Sequence, residues 1–137
     1  VTAPTLHHIL LTVTDLERSV RFYEEIVRLR QLKRPDFQYP GAWFGLSGGQ
    51  ELHLVVMDNP MLRTGRLLDP YDAHFALRVD SYREILGFLE SKGYREDLPE
   101  GNPLKMFLRR KALAGYPQIY IHDPDLFIVE FNAAALD

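Results

Sequence analysis

The chain has 137 residues, of which 46% are hydrophobic, with no cysteine and a formal net charge of −3. That length holds one domain, or two half-modules sharing a core, and the lack of cysteine excludes disulfides, thiolate zinc sites and cysteine nucleophiles. No basic run points to nucleic acid, no apolar run approaches the ~18 residues of a membrane span, and Val1 to Leu11 lacks the basic and long apolar regions of a secretory leader.

Leu6 to Val13 is aliphatic and β-branched and reads as a strand. Thr14 and Glu17 then have the spacing of a capping box, and Leu16, Val20, Tyr23 and Val27 form one apolar stripe of a helix reaching about Leu29. Leu32 to Pro40 reads as a strand and turn, bounded by Pro35 and Pro40. Trp43 to Leu46 and Gln50 to Met57 read as a hairpin turning at Ser47-Gly48-Gly49. Asp58 to Asp72 carries two prolines, a glycine and mixed charge, and reads as a linker.

The pattern then restarts. His74 to Val79 reads as a strand, and Ser81 with Glu84 as a second capping box. Ile85, Leu86, Phe88 and Leu89 belong to a helix that stops at Gly93. Leu98 to Ala114 is irregular or edge-like, Gln118 to Ile121 a strand, His122 to Asp125 a turn, and Leu126 to Asn132 a closing strand. His8, Leu11, Val13 and Phe22 recur 66 residues later as His74, Leu77, Val79 and Phe88. The expected fold is therefore α+β, two βαβββ modules (about 5–57 and 73–133) in a single domain, forming a cupped mixed sheet.

Strand alternation sorts the side chains into two faces. Ile9, Leu11 and Val13 lie opposite His8, Leu10 and Thr12. Leu52, Leu54 and Val56 lie opposite Glu51, His53 and Val55. In the second module, Phe75, Leu77 and Val79 lie opposite His74, Ala76 and Arg78, and Phe127, Val129 and Phe131 opposite Ile128, Glu130 and Asn132. Each of these strands thus carries a metal-capable side chain away from its apolar face. Imidazoles with a carboxylate suit divalent zinc, nickel, manganese or iron. A carboxylate buried between strands without a partner is costly, and a metal removes that cost.

The stretch from His8 through Thr14-Asp15-Leu16-Glu17 to Phe22-Tyr23, with Asp123-Pro124-Asp125 and Glu130, resembles the vicinal oxygen chelate superfamily, which includes glyoxalase I, extradiol dioxygenases and bleomycin-binding proteins. Arg34 to Trp43, with Leu52-His53-Leu54, is also similar to a glyoxalase-like subgroup. The resemblance implies metal ligands at His8, His74 and Glu130. The remaining ligand is His53, inside an apolar-ligand-apolar triplet, or Glu51 on the same face. His53 stands where glyoxalase I usually has a carboxylate, and Leu126 where a glycine usually follows Asp-Pro-Asp.

The chemistry so implied is that of a glyoxalase I-like lyase or isomerase. A divalent metal stabilises an enediolate while Glu130 or Glu51 moves the proton of a thiohemiacetal. Arg78, Trp43 and Tyr120 are the candidate substrate contacts, and Lys105, Arg109, Arg110 and Lys111 a further source of positive charge. The implied substrate is a small, glutathione-linked molecule, and the implied assembly a cytoplasmic homodimer with no nucleic-acid or membrane partner. The alternatives are an iron(II) dioxygenase of an aromatic diol, using His8, His74 and Glu130, and a metal-free module that sequesters a drug or aromatic ligand.

Overall fold

The computed structural model describes residues 2–57, 63–111 and 113–137. The chain divides into two compact units, Val1–Leu62 and Arg63–Asp137. Each builds its own four-stranded mixed sheet from a strand, a helix and three further strands.

In the first unit, β1 (His8–Val13) leads to α1 (Leu16–Arg21), β2 (Arg30–Leu32), β3 (Gly41–Gly45) and β4 (Glu51–Val56). The sheet order is β1-β4-β3-β2, with β1 and β4 parallel and the other pairs antiparallel. The alternation expected of β1 is present, since Leu11 and Val13 are buried while His8 and Leu10 are exposed. Leu52 and Leu54 of β4 and Ala42 and Phe44 of β3 are also buried, and α1 lies against these two strands. Full burial of a Leu or Phe side chain contributes about 1.5–3 kcal/mol, so this face holds the unit together.

Three local expectations are corrected here. Asp15, not Thr14, caps α1, accepting from the Arg18 amide at 3.0 Å. A carboxylate at the N-cap serves the same unsatisfied amides and suits the positive end of the helix. The regular helix stops at Arg21 and widens into a π-helical turn over Phe22–Ile26, closed by Val27 N–H on the Phe22 carbonyl and by Arg28 at φ +64. The wider turn leaves Phe22, Tyr23 and Val27 all buried. The strand expected over Leu32 to Pro40 lies earlier, at β2, because Pro35 and Pro40 bring no amide donor to a ladder. The hairpin at Ser47-Gly48-Gly49 is present, with Gly49 at φ +87 donating to the Leu46 carbonyl.

In the second unit, β5 (His74–Arg78) leads to α2 (Tyr82–Ser91), β6 (Met106–Arg109), β7 (Gln118–His122) and β8 (Ile128–Asn132), in the order β5-β8-β7-β6. β5 and β8 are parallel, as β1 and β4 are. Ser81 caps α2, accepting from the Glu84 amide at 3.0 Å, and Gly93 at φ +96 follows its C-cap, both as expected. The stretch read as edge-like holds β6, an edge strand. His122 ends β7 instead of opening the turn, paired with Ile128. Of the expected linker, residues 58–62 lie outside the described residues; Arg63 and Asp72 form an ion pair within the second unit.

Candidate metal centre

The strand registers decide which side chains share a face. In the first unit, His8 stands opposite Glu51, and Leu10 opposite His53, which is opposite Trp43. Directly paired residues project to the same side of a sheet, so these polar and aromatic groups face one way. The His8 and His53 rings stack with centroids 4.4 Å apart, and His53 stacks on Trp43 at 4.1 Å. His53 Nε2 is 3.1 Å from Glu51 Oε1, and His8 Nδ1 is 2.9 Å from His7 Nδ1. His7, the residue before β1, is thus in contact with the His8 ring. Beyond Trp43 the rings continue to Phe37 and Tyr39, with the Arg34 guanidinium over both. Stacked imidazoles direct their in-plane lone pairs side by side, so this group favours ring contact over convergence on one point.

The second unit gathers its groups around Glu130. Ala76 and Tyr120 flank Glu130 in register, Arg78 and Gln118 flank Asn132, and Phe107 and Arg109 continue the same face on β6. Glu130 is only 3% exposed. Its Oε1 accepts from Gln118 Nε2 at 2.8 Å and its Oε2 from Asn132 Nδ2 at 2.6 Å. Burial, and then its hydrogen bond to Glu130 and that group's negative charge, push the Tyr120 hydroxyl well above the ordinary tyrosine range. Tyr120 therefore stays protonated at any physiological pH. Hydrogen bonds from Gln118 and Asn132 offset the burial of Glu130. Sequence reading placed Asn132 on this face without a role and omitted Gln118. The signal for Asn132 was the parity that marked Glu130 two residues earlier; Gln118 reaches Glu130 only through the register of β7 on β8.

His74 supplies the test of whether a metal fits. Its Nδ1 lies 2.8 Å from the Asp72 carbonyl. A carbonyl only accepts, so Nδ1 carries the proton and Nε2 holds the lone pair of the neutral ring. That Nε2 is 3.4 Å from Glu130 Oε1. Two electron-pair donors this close repel unless a proton or a cation lies beside both. Two ligands each about 2.1 Å from one ion at a tetrahedral angle stand about 3.4 Å apart. A ligating histidine ordinarily gives its other N–H to a backbone carbonyl or a carboxylate, as His74 does. The pair fits a divalent metal in donor type and in spacing. Among the described residues, no three His, Asp or Glu side chains are gathered as a metal-holding group. Each unit offers its own partial set.

The remaining candidates separate clearly. Arg78 Nε donates to Asn132 Oδ1 at 2.6 Å, with the guanidinium over Tyr116. Lys105 donates to the Glu96 and Leu98 carbonyls, and Arg110 pairs with Glu96. Arg109 lies over the rings of Tyr71, Phe107 and Tyr120, and no carboxylate pairs with it among the described residues.

Residues 5–131 match the model of the Glyoxalase/Bleomycin resistance protein/Dioxygenase superfamily, and the chain belongs to that superfamily. It is 25% identical over 130 residues to "Glyoxylase I 4" of Arabidopsis thaliana, covering 92% of this chain and 68% of that one. It is 26% identical over 133 residues to a lactoylglutathione lyase of Haemophilus influenzae, covering 90% of this chain and 88% of the other. The fold matches a mutant of the fosfomycin resistance protein FosX from Listeria monocytogenes, solved with Mn(II) and dihydroxypropylphosphonic acid. The TM-score is 0.69 at 17% identity, over 99% of this chain and 95% of that one. No helix among the described residues is long and apolar enough to cross a membrane.

Proposed function

We propose that the chain is a metal-dependent lyase or isomerase of glyoxalase type, acting on the thiohemiacetal of a 2-oxoaldehyde. The observation that carries this reading is His74 Nε2 lying 3.4 Å from Glu130 Oε1, with the opposite ring nitrogen at a backbone carbonyl. The similarity to the two lyase-type relatives supports the choice of reaction. In the second unit the proposed ligands are His74 and Glu130; in the first, taken by itself, they are His8 with His53 or Glu51. Register favours His53, since it pairs with the third residue of β1 as Glu130 pairs with the third residue of β5.

Bound there, a divalent metal supplies Lewis acidity that makes the carbon-bound proton beside the substrate carbonyl removable. Glu130 or Glu51 accepts that proton on a carboxylate oxygen and returns it to the neighbouring carbon. Gln118 and Asn132 keep Glu130 oriented through the transfer. Arg109, a cation with no carboxylate paired to it among the described residues, attracts the anionic end of a glutathione-linked substrate. Within the first unit, Trp43 offers an aromatic surface beside His53. The proposed setting is a cytoplasmic homodimer.

The test is thioester formation from methylglyoxal and glutathione by protein loaded with nickel or zinc. Activity lost in Glu130→Gln supports the reading. Oxygen consumption with iron and an aromatic diol, or tight ligand binding with no metal affinity, replaces it with the dioxygenase or the sequestering module.

A further inference from the structure

We infer that Arg78 is a positioning residue that acts on Glu130 through Asn132. Arg78 stands directly opposite Asn132 across the β5–β8 ladder, and its Nε donates to Asn132 Oδ1 at 2.6 Å. Asn132 is 6% exposed, and its Nδ2 donates to Glu130 Oε2 at 2.6 Å. A guanidinium can only donate and an ionised carboxylate can only accept. The carboxamide between them has one acceptor and one donating end, so it can stand in only one orientation.

The two bonds run in the same sense, from cation to amide to carboxylate, and each polarises the next. They tie up Oε2 of Glu130. The other oxygen, Oε1, is then the one turned to His74 Nε2, 3.4 Å away. Gln118 on the far side holds Oε1 at 2.8 Å, so the carboxylate plane is fixed from both edges. Without Arg78, Asn132 loses what decides its orientation, and Oε2 loses its fixed donor. Stacking over Tyr116 at 5.1 Å keeps the guanidinium of this otherwise exposed residue in place.

The consequence for metal binding rests on the reading of Glu130 as a ligand, but the relay itself does not. The sign of the effect separates the relay from simpler roles. Removing a nearby positive charge by itself tightens the binding of a divalent cation, and losing a substrate contact leaves metal affinity alone. The relay predicts the reverse. Zinc affinity of the full chain, measured by chelator competition, should fall about 10-fold in Arg78→Ala, at the lower end of what outer partners of metal ligands contribute. Arg78→Lys, which can still donate to Asn132, should recover most of the loss. In the Asn132→Ala background, Arg78→Ala should add nothing further, because the path is already cut.

A second readout uses the metal-free protein. The side-chain amide resonances of Asn132 should shift and exchange faster with solvent in Arg78→Ala, and this arm carries the test if Asn132→Ala does not fold. Unchanged or tighter zinc binding in Arg78→Ala, multiplying effects of the two substitutions, or unmoved Asn132 amide signals would each overturn the relay. A wild-type protein that binds no zinc would overturn the metal reading, while the amide signals still decide the relay.

Discussion

The two modules repeat one topology and treat their functional groups differently. In the first, His53 leans on Trp43 and His8 through ring faces, and its polar partner is Glu51. In the second, the residue in the matching register, Glu130, is held by Gln118 and Asn132, with His74 Nε2 3.4 Å from its Oε1. Ring stacking tolerates sliding and rotation, whereas hydrogen bonds to both carboxylate oxygens fix a plane. One fold thus yields an adaptable half-set and a rigid one. The repeated register supplies position, and the neighbours one strand away supply stiffness.

The strongest way to break this contrast is to remove the rigid pair. Glu130→Gln and His74→Ala should each weaken zinc binding by more than about 100-fold, beyond the range of outer partners, when measured by chelator competition. His8→Ala should cost less, and if it matched Glu130→Gln the first unit would be no less rigid than the second. Next in size is Trp43→Ala. It removes the stack on His53 and the contact with Phe37, and should lower stability by about 2 kcal/mol in urea unfolding, from lost area and ring pairing together.

A pH effect sharpens the picture of the second unit. Burial, and then the positive charge of Arg63, depress the pKa of His122, and its Nε2 is buried without a hydrogen-bond partner. The unfolded chain binds a proton there near pH 6.5 and the folded chain only at lower pH. Between those values the unfolded state holds more protons, so the stability this residue contributes is full above pH 6.5 and falls as pH drops through the window. His122→Phe should flatten that part of the stability profile, and an unchanged slope would refute the assignment. The smallest expected effect lies at Leu126, at φ +69 in the turn before β8. A branched side chain in that left-handed region costs about 1–2 kcal/mol. Leu126→Gly should relieve part of it and raise the thermal midpoint by a few degrees.

The repeat, the strand parity and the apolar faces were legible in the sequence because they depend on spacing alone. His8, Leu11 and Val13 against His74, Leu77 and Val79 were enough to give both halves. The usual glycine after Asp-Pro-Asp has its reason in the φ of Leu126, which spacing does not reveal. The cap moved from Thr14 to Asp15 because two adjacent residues can both serve and only the backbone path selects one. Gln118 was missed as a partner of Glu130, and the bond from Arg78 to Asn132 was not foreseen, because both pairs meet through strand register. Register is a pairing between distant segments and leaves no local pattern.

The most direct test of the central claim is X-ray absorption at the zinc edge of the loaded protein, compared with His74→Ala and Glu130→Gln. The account predicts imidazole scattering and a carboxylate oxygen around the ion, with imidazole scattering reduced in the first variant and the oxygen contribution changed in the second. A zinc spectrum identical in all three proteins would contradict it.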